Sequence, residues 1–238
     1  MDIIHQDEHL LVLNKPAGLP VLPDGWEKDA PYLVKMLLEE EYGNPSIAKH
    51  SGRGVFVVHR LDKVTSGVMV FARTAEAHRA LNIQFENREA DKVYHAILEG
   101  EPRWKEKTAK HPLLADVGKK HRTVVNDKKG KPSETQFRIL RRYQSGALVE
   151  ARPMTGRTHQ VRVHASALGH PLLGDILYGA SETDLIARPA LHAYSLTITH
   201  PETKEVLTFK TEHPEDFVSA LERLGVGNDN PNMVSFAR

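Results

Sequence analysis

The stretch His59-Arg60-Leu61-Asp62-Lys63-Val64-Thr65-Ser66-Gly67 lies between two apolar runs, Val55-Phe56-Val57-Val58 and Val68-Met69-Val70-Phe71-Ala72. Short apolar runs rich in β-branched and aromatic residues read as buried strands. The segment between them is then a loop at the end of two core strands. It carries one carboxylate, Asp62, behind an arginine and ahead of a Thr-Ser-Gly close. An acid pinned in this way suits a positioned catalytic group better than a solvated surface charge. Thr65 and Ser66 are expected to fix the loop through backbone hydrogen bonds rather than to act as nucleophiles.

Working outward, residues 10–14 read as a strand ending in the turn Lys15-Pro16-Ala17-Gly18. Asp29-Ala30-Pro31 opens a helix with Leu33, Met36 and Leu37 as its apolar stripe and Gly43 as its stop. Thr74 is placed to cap a second helix carrying Ala77, Leu81 and Phe85 on one side, and residues 93–98 return to strand. Residues 104–125 are weakly patterned and basic, which predicts hairpins and loops. Residues 135–143 and 147–151 pair as strands, and 158–168 has helical spacing ended by Gly169. Residues 193–199 and 206–211 form a hairpin, followed by an amphipathic helix from about Pro214 to Leu224. The predicted fold is α+β: a single domain over residues 1–224 on a mixed, largely antiparallel central sheet with flanking helices, then a poorly ordered tail, 225–238.

Composition narrows the class. At 238 residues, 40% hydrophobic and 26% charged, the chain matches globular proteins rather than disordered ones. The absence of cysteine excludes disulfides, thiolate catalysis and thiolate metal sites, and fits a reducing cytoplasm. No apolar run approaches the ~20 residues needed to span a bilayer, and Met1 to Glu8 do not resemble a signal peptide. The reading is a soluble cytoplasmic protein with no membrane partner. The net charge is only +1, but residues 101–142 hold 13 Lys/Arg against 5 Asp/Glu, which leaves the remainder of the chain acidic. Lys119-Lys120-His121-Arg122, Lys128-Lys129-Gly130-Lys131 and Arg141-Arg142 carry most of that excess. Such a region is either a set of solvated loops or a phosphate-contacting surface.

A second long motif follows far down the chain: Arg152-Pro153-Met154-Thr155-Gly156-Arg157-Thr158-His159-Gln160-Val161-Arg162-Val163-His164, continuing through Gly169-His170-Pro171-Leu172-Leu173-Gly174-Asp175. Together with the Asp62 loop, Asn14-Lys15-Pro16-Ala17-Gly18, Lys92-Val93-Tyr94-His95-Ala96 and Leu191-His192-Ala193, it resembles, in order, the RluA-type pseudouridine synthases, which isomerise uridine in structured RNA. The resemblance runs from about Ile3 to about Thr211. It implies Asp62 as the essential carboxylate, Tyr94 as the platform on which the base stacks and Arg162 as the basic partner. It also implies Arg60 as the wedge that fills the space left by an extruded base, with Leu191 on the other face of that base. Thr65 is a further substrate-contacting candidate, and Lys15 is either structural or a phosphate contact. No cofactor and no metal are implied. The implied partner is ribosomal or transfer RNA held in a basic cleft by a monomer, and the chain is expected to begin directly in the catalytic domain, without a separate amino-terminal RNA-binding domain.

The chemistry accounts for these residue types. Conversion of uridine breaks the N-glycosidic bond, turns the uracil and joins its carbon five to the same sugar carbon. A carboxylate can attack the sugar or the uracil, or take a proton beside the glycosidic carbon. A carboxylate in a dry pocket needs a counter-ion, and Arg162 is expected to bond both oxygens of Asp62 through its planar fork. Two other classes compete: an RNA-binding module that has lost catalysis, and a metal-free hydrolase using Asp62, for which no Ser/His/Asp order can be defended. His159 and His164 stand five apart with no Glu between them, which is not the spacing of a zinc helix. His59 and His192 read as hydrogen-bonding core residues. Gly52 and Gly54 lack the third glycine and the following helix of a dinucleotide loop.

Overall fold

Both apolar runs around Asp62 become strands of one sheet. The computed structural model describes residues 1–23, 30–42, 53–119 and 121–225. Its strands are β1 (Asp2–Gln6), β2 (Leu10–Lys15), β3 (Arg53–Val57), β4 (Ser66–Thr74), β5 (Asp91–Glu99), β6 (Glu106–Ala109), β7 (Leu113–Val117), β8 (Arg122–Val125), β9 (Thr135–Arg142), β10 (Gly146–Pro153), β11 (Leu191–Thr199) and β12 (Val206–Lys210). Its helices are α1 (Leu33–Tyr42), α2 (Ala75–Glu86), α3 (Gln160–Ala167) and α4 (Glu215–Gly225). Ten strands form a single sheet in the order β1-β2-β4-β11-β5-β10-β9-β6, with β3 on β4 and β12 on β11. All pairings in it are antiparallel except the short parallel contact of β4 with β11. The architecture is α+β on a mixed, largely antiparallel sheet, as the sequence predicts.

The continuous apolar run of β4 is explained by helices on both faces of the sheet. Leu11, Leu13, Met69 and Phe71 pack against Leu33 and Leu37 of α1. Leu10, Val12, Val68 and Val70 pack against Ala77 and Leu81 of α2. Farther along, Ala96, Leu98 and Val149 meet Val161 and Ala165 of α3, while Ile97 and Leu148 meet Phe217, Ala220 and Leu224 of α4. Thr74 caps α2 as expected, its side chain accepting from the Ala77 amide at 3.2 Å. The Gly43 stop of α1, the Asp29 cap and residues 226–238 of the tail fall outside the described residues. Residues 104–125 hold a hairpin, as their pattern predicts. They give edge strand β6 and the two-stranded β7–β8 sheet, whose pattern is weak because few of their residues are buried.

Gly67 is the point at which the fold brings the distant motifs together. Its φ is +118°, and a Cβ there would stand 2.2 Å from the Ala193 carbonyl oxygen. Only glycine permits this approach. It lets Ser66 and Gly67 of β4 lie directly beside His192 and Ala193 of β11, and so brings Leu191 next to the Asp62 loop.

Behind that contact, on the sheet face toward α4, lies a buried histidine cluster. His192 bonds Ser66 Oγ at 2.9 Å, His95 bonds His213 at 2.8 Å, and His213 stacks on Phe217 with ring centroids 4.8 Å apart. Burial holds the His192 pKa down at about 3 and that of His95 at about 4, against an ordinary value of 6.5. The unfolded chain therefore binds protons first. The stability these groups contribute is complete above pH 6.5 and is lost as pH falls toward 4 and then 3, at up to ~1.4 kcal/mol per pH unit for each group. Thermal unfolding should show Tm falling by about 5 °C or more between pH 7 and pH 5, before most carboxylates titrate. A flat Tm over that interval would show the cluster to be without effect.

Candidate active site

Asp62 stands on the β3–β4 loop, and the loop is held from several sides. Leu61 points inward, 4% exposed, into the core beneath α1, which turns Arg60 out to solvent. The Thr65 amide donates to the Asp62 carbonyl at 3.0 Å and closes a turn. The Val70 amide donates to His59 Nε2 at 3.1 Å, and the His59 ring stacks on Phe85 with centroids 4.8 Å apart. Arg188, bonded through Nε and Nη2 to Asp216, also donates to the carbonyl of Val64 at 3.2 Å. The predicted hydrogen-bonding roles of His59 and His192 agree with these contacts.

Lys15 is fully buried, and its Nζ donates to the carbonyls of Pro16 and Leu19 at 2.8 Å and of Lys63 at 3.3 Å. All three ammonium donors are engaged inside the protein, so no surface is left for a phosphate. Of the two readings for Lys15, the structural one fits this position and the substrate contact does not. Burial lowers its pKa to about 8, with Asp62 opposing that shift. Lys15→Met would leave three carbonyls without their donor, and should reduce the unfolding free energy by roughly 2–4 kcal/mol. Denaturant titration reads this directly, and a change below ~1 kcal/mol would contradict the role assigned to Lys15.

The loop opens onto a cleft of about 570 Å³ whose lining includes Arg60, Asp62, Thr65, Tyr94, Arg162 and Leu191. Six of the seven site residues named from sequence therefore share one cavity, although they come from positions 60 to 191. Tyr94 and Leu191 lie on adjacent strands, β5 and β11. Burial, and then the Asp62 charge, raise the Tyr94 pKa well above its ordinary value, so the hydroxyl stays protonated. Thr65 is 2% exposed, and its Oγ1 has no partner among the described residues.

Arg162 departs from the sequence prediction. Its fork does not grip Asp62. Nε and Nη2 each bond a carboxylate oxygen of Asp175 at 2.7 Å, and only Nη1 turns to Asp62, 3.7 Å from Oδ2. Arg162 and Asp175 are 5% and 1% exposed, so this is a buried bidentate pair. Burial works against the Arg162 charge, and the Asp175 hydrogen bonds, followed by the charges of Asp175 and Asp62, outweigh it and raise the pKa. The guanidinium also lies over the Tyr178 ring, 4.9 Å from its centroid.

His159 is a second neighbour of Asp62 that sequence reading passed over. It precedes α3 with φ of 55°, a left-handed conformation uncommon outside glycine. Its Nε2 is 3.7 Å from Asp62 Oδ2, and its Nδ1 is 2.7 Å from the Tyr178 hydroxyl. Burial lowers its pKa, with Asp62 opposing, so the ring is neutral near pH 7. The Tyr178 oxygen accepts from the Thr123 amide at 3.0 Å, which leaves its own proton for His159 Nδ1. The remaining ring proton is thus assigned to Nε2, facing the carboxylate; the opposite tautomer would aim a lone pair at it. His164 takes no part, bonding instead to Thr135 and the His111 carbonyl. Among the described residues no group of three or more His, Asp or Glu side chains is placed to hold a metal ion.

A family model described as RNA pseudouridylate synthase matches residues 9–167. Over 219 residues, 90% of this chain and 93% of the relative, the sequence is 40% identical to the dual-specificity RNA pseudouridine synthase RluA of Salmonella typhi. The chain belongs to the RluA-type pseudouridine synthase family. A ribosomal large subunit pseudouridine synthase D from Zymomonas mobilis is 37% identical over 242 residues, 97% of this chain and 74% of that one. Among solved structures, the human RNA pseudouridylate synthase domain containing 4 superposes with a TM-score of 0.74 at 27% identity, covering 94% of this chain and 92% of that one. This RluA-type synthase is accordingly an RNA uridine isomerase on the pseudouridine synthase fold, with Asp62 and Arg162, both within the matched region, brought to one cleft.

Proposed function

We propose that this enzyme isomerises specific uridines in ribosomal or transfer RNA, with Asp62 as the essential carboxylate and the target base swung out of its stack into the cleft. The observation that carries this reading is the convergence on one Asp62 oxygen of Arg162 Nη1 and His159 Nε2, each at 3.7 Å, beneath walls formed by Tyr94 and Leu191. Two relatives are named for ribosomal or dual-specificity RNA modification, which supports the substrate class. Extrusion of a stacked base costs roughly a few kcal/mol. Stacking on an aromatic ring returns about 1–3 kcal/mol, which is the part given to Tyr94. Arg60, exposed in the cleft lining, is given the part of filling the vacated stack.

In the reaction the glycosidic bond to N1 breaks, the uracil turns, and carbon five bonds the sugar carbon. The proton lost from carbon five leaves, and N1 ends protonated, so atoms and charge balance without redox change. Whether Asp62 attacks covalently or removes a proton, the same carboxylate must be anionic beneath the base, and Arg162 supplies the compensating charge. The exposed Lys119, Arg122, Lys128, Lys129 and Lys131 on and around the β7–β8 sheet support a phosphate-contacting surface. Lys110, Arg138, Arg141 and Arg142 from the same region are engaged with neighbours within the fold. The working form is a cytoplasmic monomer, with one catalytic unit over residues 1–224.

The test is pseudouridine mapping of ribosomal and transfer RNA from cells with and without the gene. A position lost on deletion, restored by the wild type and not by Asp62→Asn, is the expected result. No altered position in any RNA would overturn the proposal in favour of a binding module.

A further inference from the structure

The cleft extends beyond the Asp62 end. Its lining also includes Asn82 and Glu86 of α2, Arg88, and Lys92 at the start of β5. Lys92 is partly buried, and burial lowers the pKa of its ammonium while Asp91 alone opposes the shift. Asp91 is already committed: it pairs with Arg152 at 2.6 Å, and Arg152 pairs in turn with Glu150 at 2.9 Å. Glu86, exposed on α2, makes no ion pair with Lys92. Among the described residues Lys92 thus has neither a hydrogen bond nor an ion pair of its own. Its Nζ faces the 155–157 turn, where a Cβ on Gly156 would lie 4.0 Å away, and the missing side chain leaves space over the ammonium. In that turn, Arg157 has a buried Nε that also lacks a partner among the described residues.

A partly desolvated cation with no ion pair of its own is costly to keep and binds an arriving anion strongly. The substrate brings such an anion at every nucleotide. We propose that this lobe is a phosphate subsite, in which Lys92, flanked by Arg157, holds a phosphodiester adjacent to the extruded uridine. The inference rests on the reading of Asp62 as the place where that uridine reacts. The two ends of the cleft then divide the work: Asp62 and Arg162 act on the base and sugar, while Lys92 fixes the strand on which they are carried. Because the contact forms with the bound strand and not with the reacting bond, its loss should weaken substrate capture and leave the chemical step intact.

The experiment uses the full chain and an RNA fragment carrying the uridine found by mapping. Lys92→Gln should raise KM about fivefold or more with kcat within about twofold. It should also flatten the dependence of log(kcat/KM) on log salt by about 0.7, the value for one phosphate contact on a single strand. Lys92→Arg, which keeps the charge, should restore the slope. A fragment with an uncharged methylphosphonate at the phosphate on one side of the target should cost the wild type a similar factor and Lys92→Gln nothing more. Equal salt slopes, or a loss confined to kcat, would overturn the phosphate site while an active wild type leaves the Asp62 reading standing. A wild type that makes no pseudouridine on the mapped fragment would overturn both.

Discussion

Asp62→Asn should abolish pseudouridine formation, lowering turnover by about 10⁴-fold or more, while the protein still folds and still binds RNA. The expectation follows from the position of the side chain. Asp62 is 24% exposed, and its nearest donors, Arg162 Nη1 and the neutral His159 Nε2, stand at 3.7 Å, outside hydrogen-bonding range, so no buried hydrogen bond depends on its carboxylate. An amide of the same shape fits the loop, and Tm should move by less than about 2 °C. RNA affinity comes chiefly from phosphate contacts, and removing an acid from an anion's path should leave it unchanged or slightly tighter. Only the chemistry needs an anionic oxygen beneath the base. Turnover within tenfold of wild type, in an assay reading pseudouridine itself, would remove Asp62 from the reaction and revive the binding-module alternative.

The sequence made the Asp62 loop legible because covalent neighbours define it: two apolar runs force strands, and the polar segment between them has nowhere to go but the sheet end. Tyr94 and Leu191 were named by the resemblance to the family and not by pattern; Tyr94 falls within the strand read over 93–98, whereas Leu191 precedes the one read over 193–199. The limits of the strands read from sequence differ by at most two residues, as for β4, which begins at Ser66 rather than Val68. What escaped was set through space. Asp175 follows Arg162 by 13 residues, a separation with no helical or strand period, so nothing local marks it as the partner of the guanidinium fork. His159 was weighed only for metal spacing; its left-handed backbone and its turn toward Asp62 arise from the α3 start, which pattern alone does not reveal. Lys15 runs against the rule that lysines are solvated. Its signal was the neighbouring turn, whose inward carbonyls require a donor.

The largest effect of a residue outside the cleft lining is expected at Asp175. The fork of Arg162 uses Nε and Nη2 on this carboxylate, and that leaves Nη1 as the one donor aimed at Asp62. The direction of Arg162 is therefore set by a buried residue that does not line the cleft, which makes Asp175 a positioning residue. Asp175→Ala leaves a buried guanidinium without its partner, at a cost of about 3–5 kcal/mol, and much of that loss would be of the fold. Asp175→Asn is the cleaner change, since it keeps volume and one acceptor. With the orienting charge gone, kcat should fall about 100-fold, the scale of a 1 Å misplacement of a catalytic group, while KM for RNA stays nearly constant. Arg162→Ala should be inactive, and Arg162→Lys impaired to a similar degree as Asp175→Asn, because a single ammonium cannot reach both carboxylates. If the two residues act as one unit, the double variant Asp175→Asn with Arg162→Lys should be hardly worse than either alone. Additive losses, or near-normal kcat in Asp175→Asn, would mean that Arg162 reaches Asp62 by its own packing over Tyr178, with the buried pair serving stability alone.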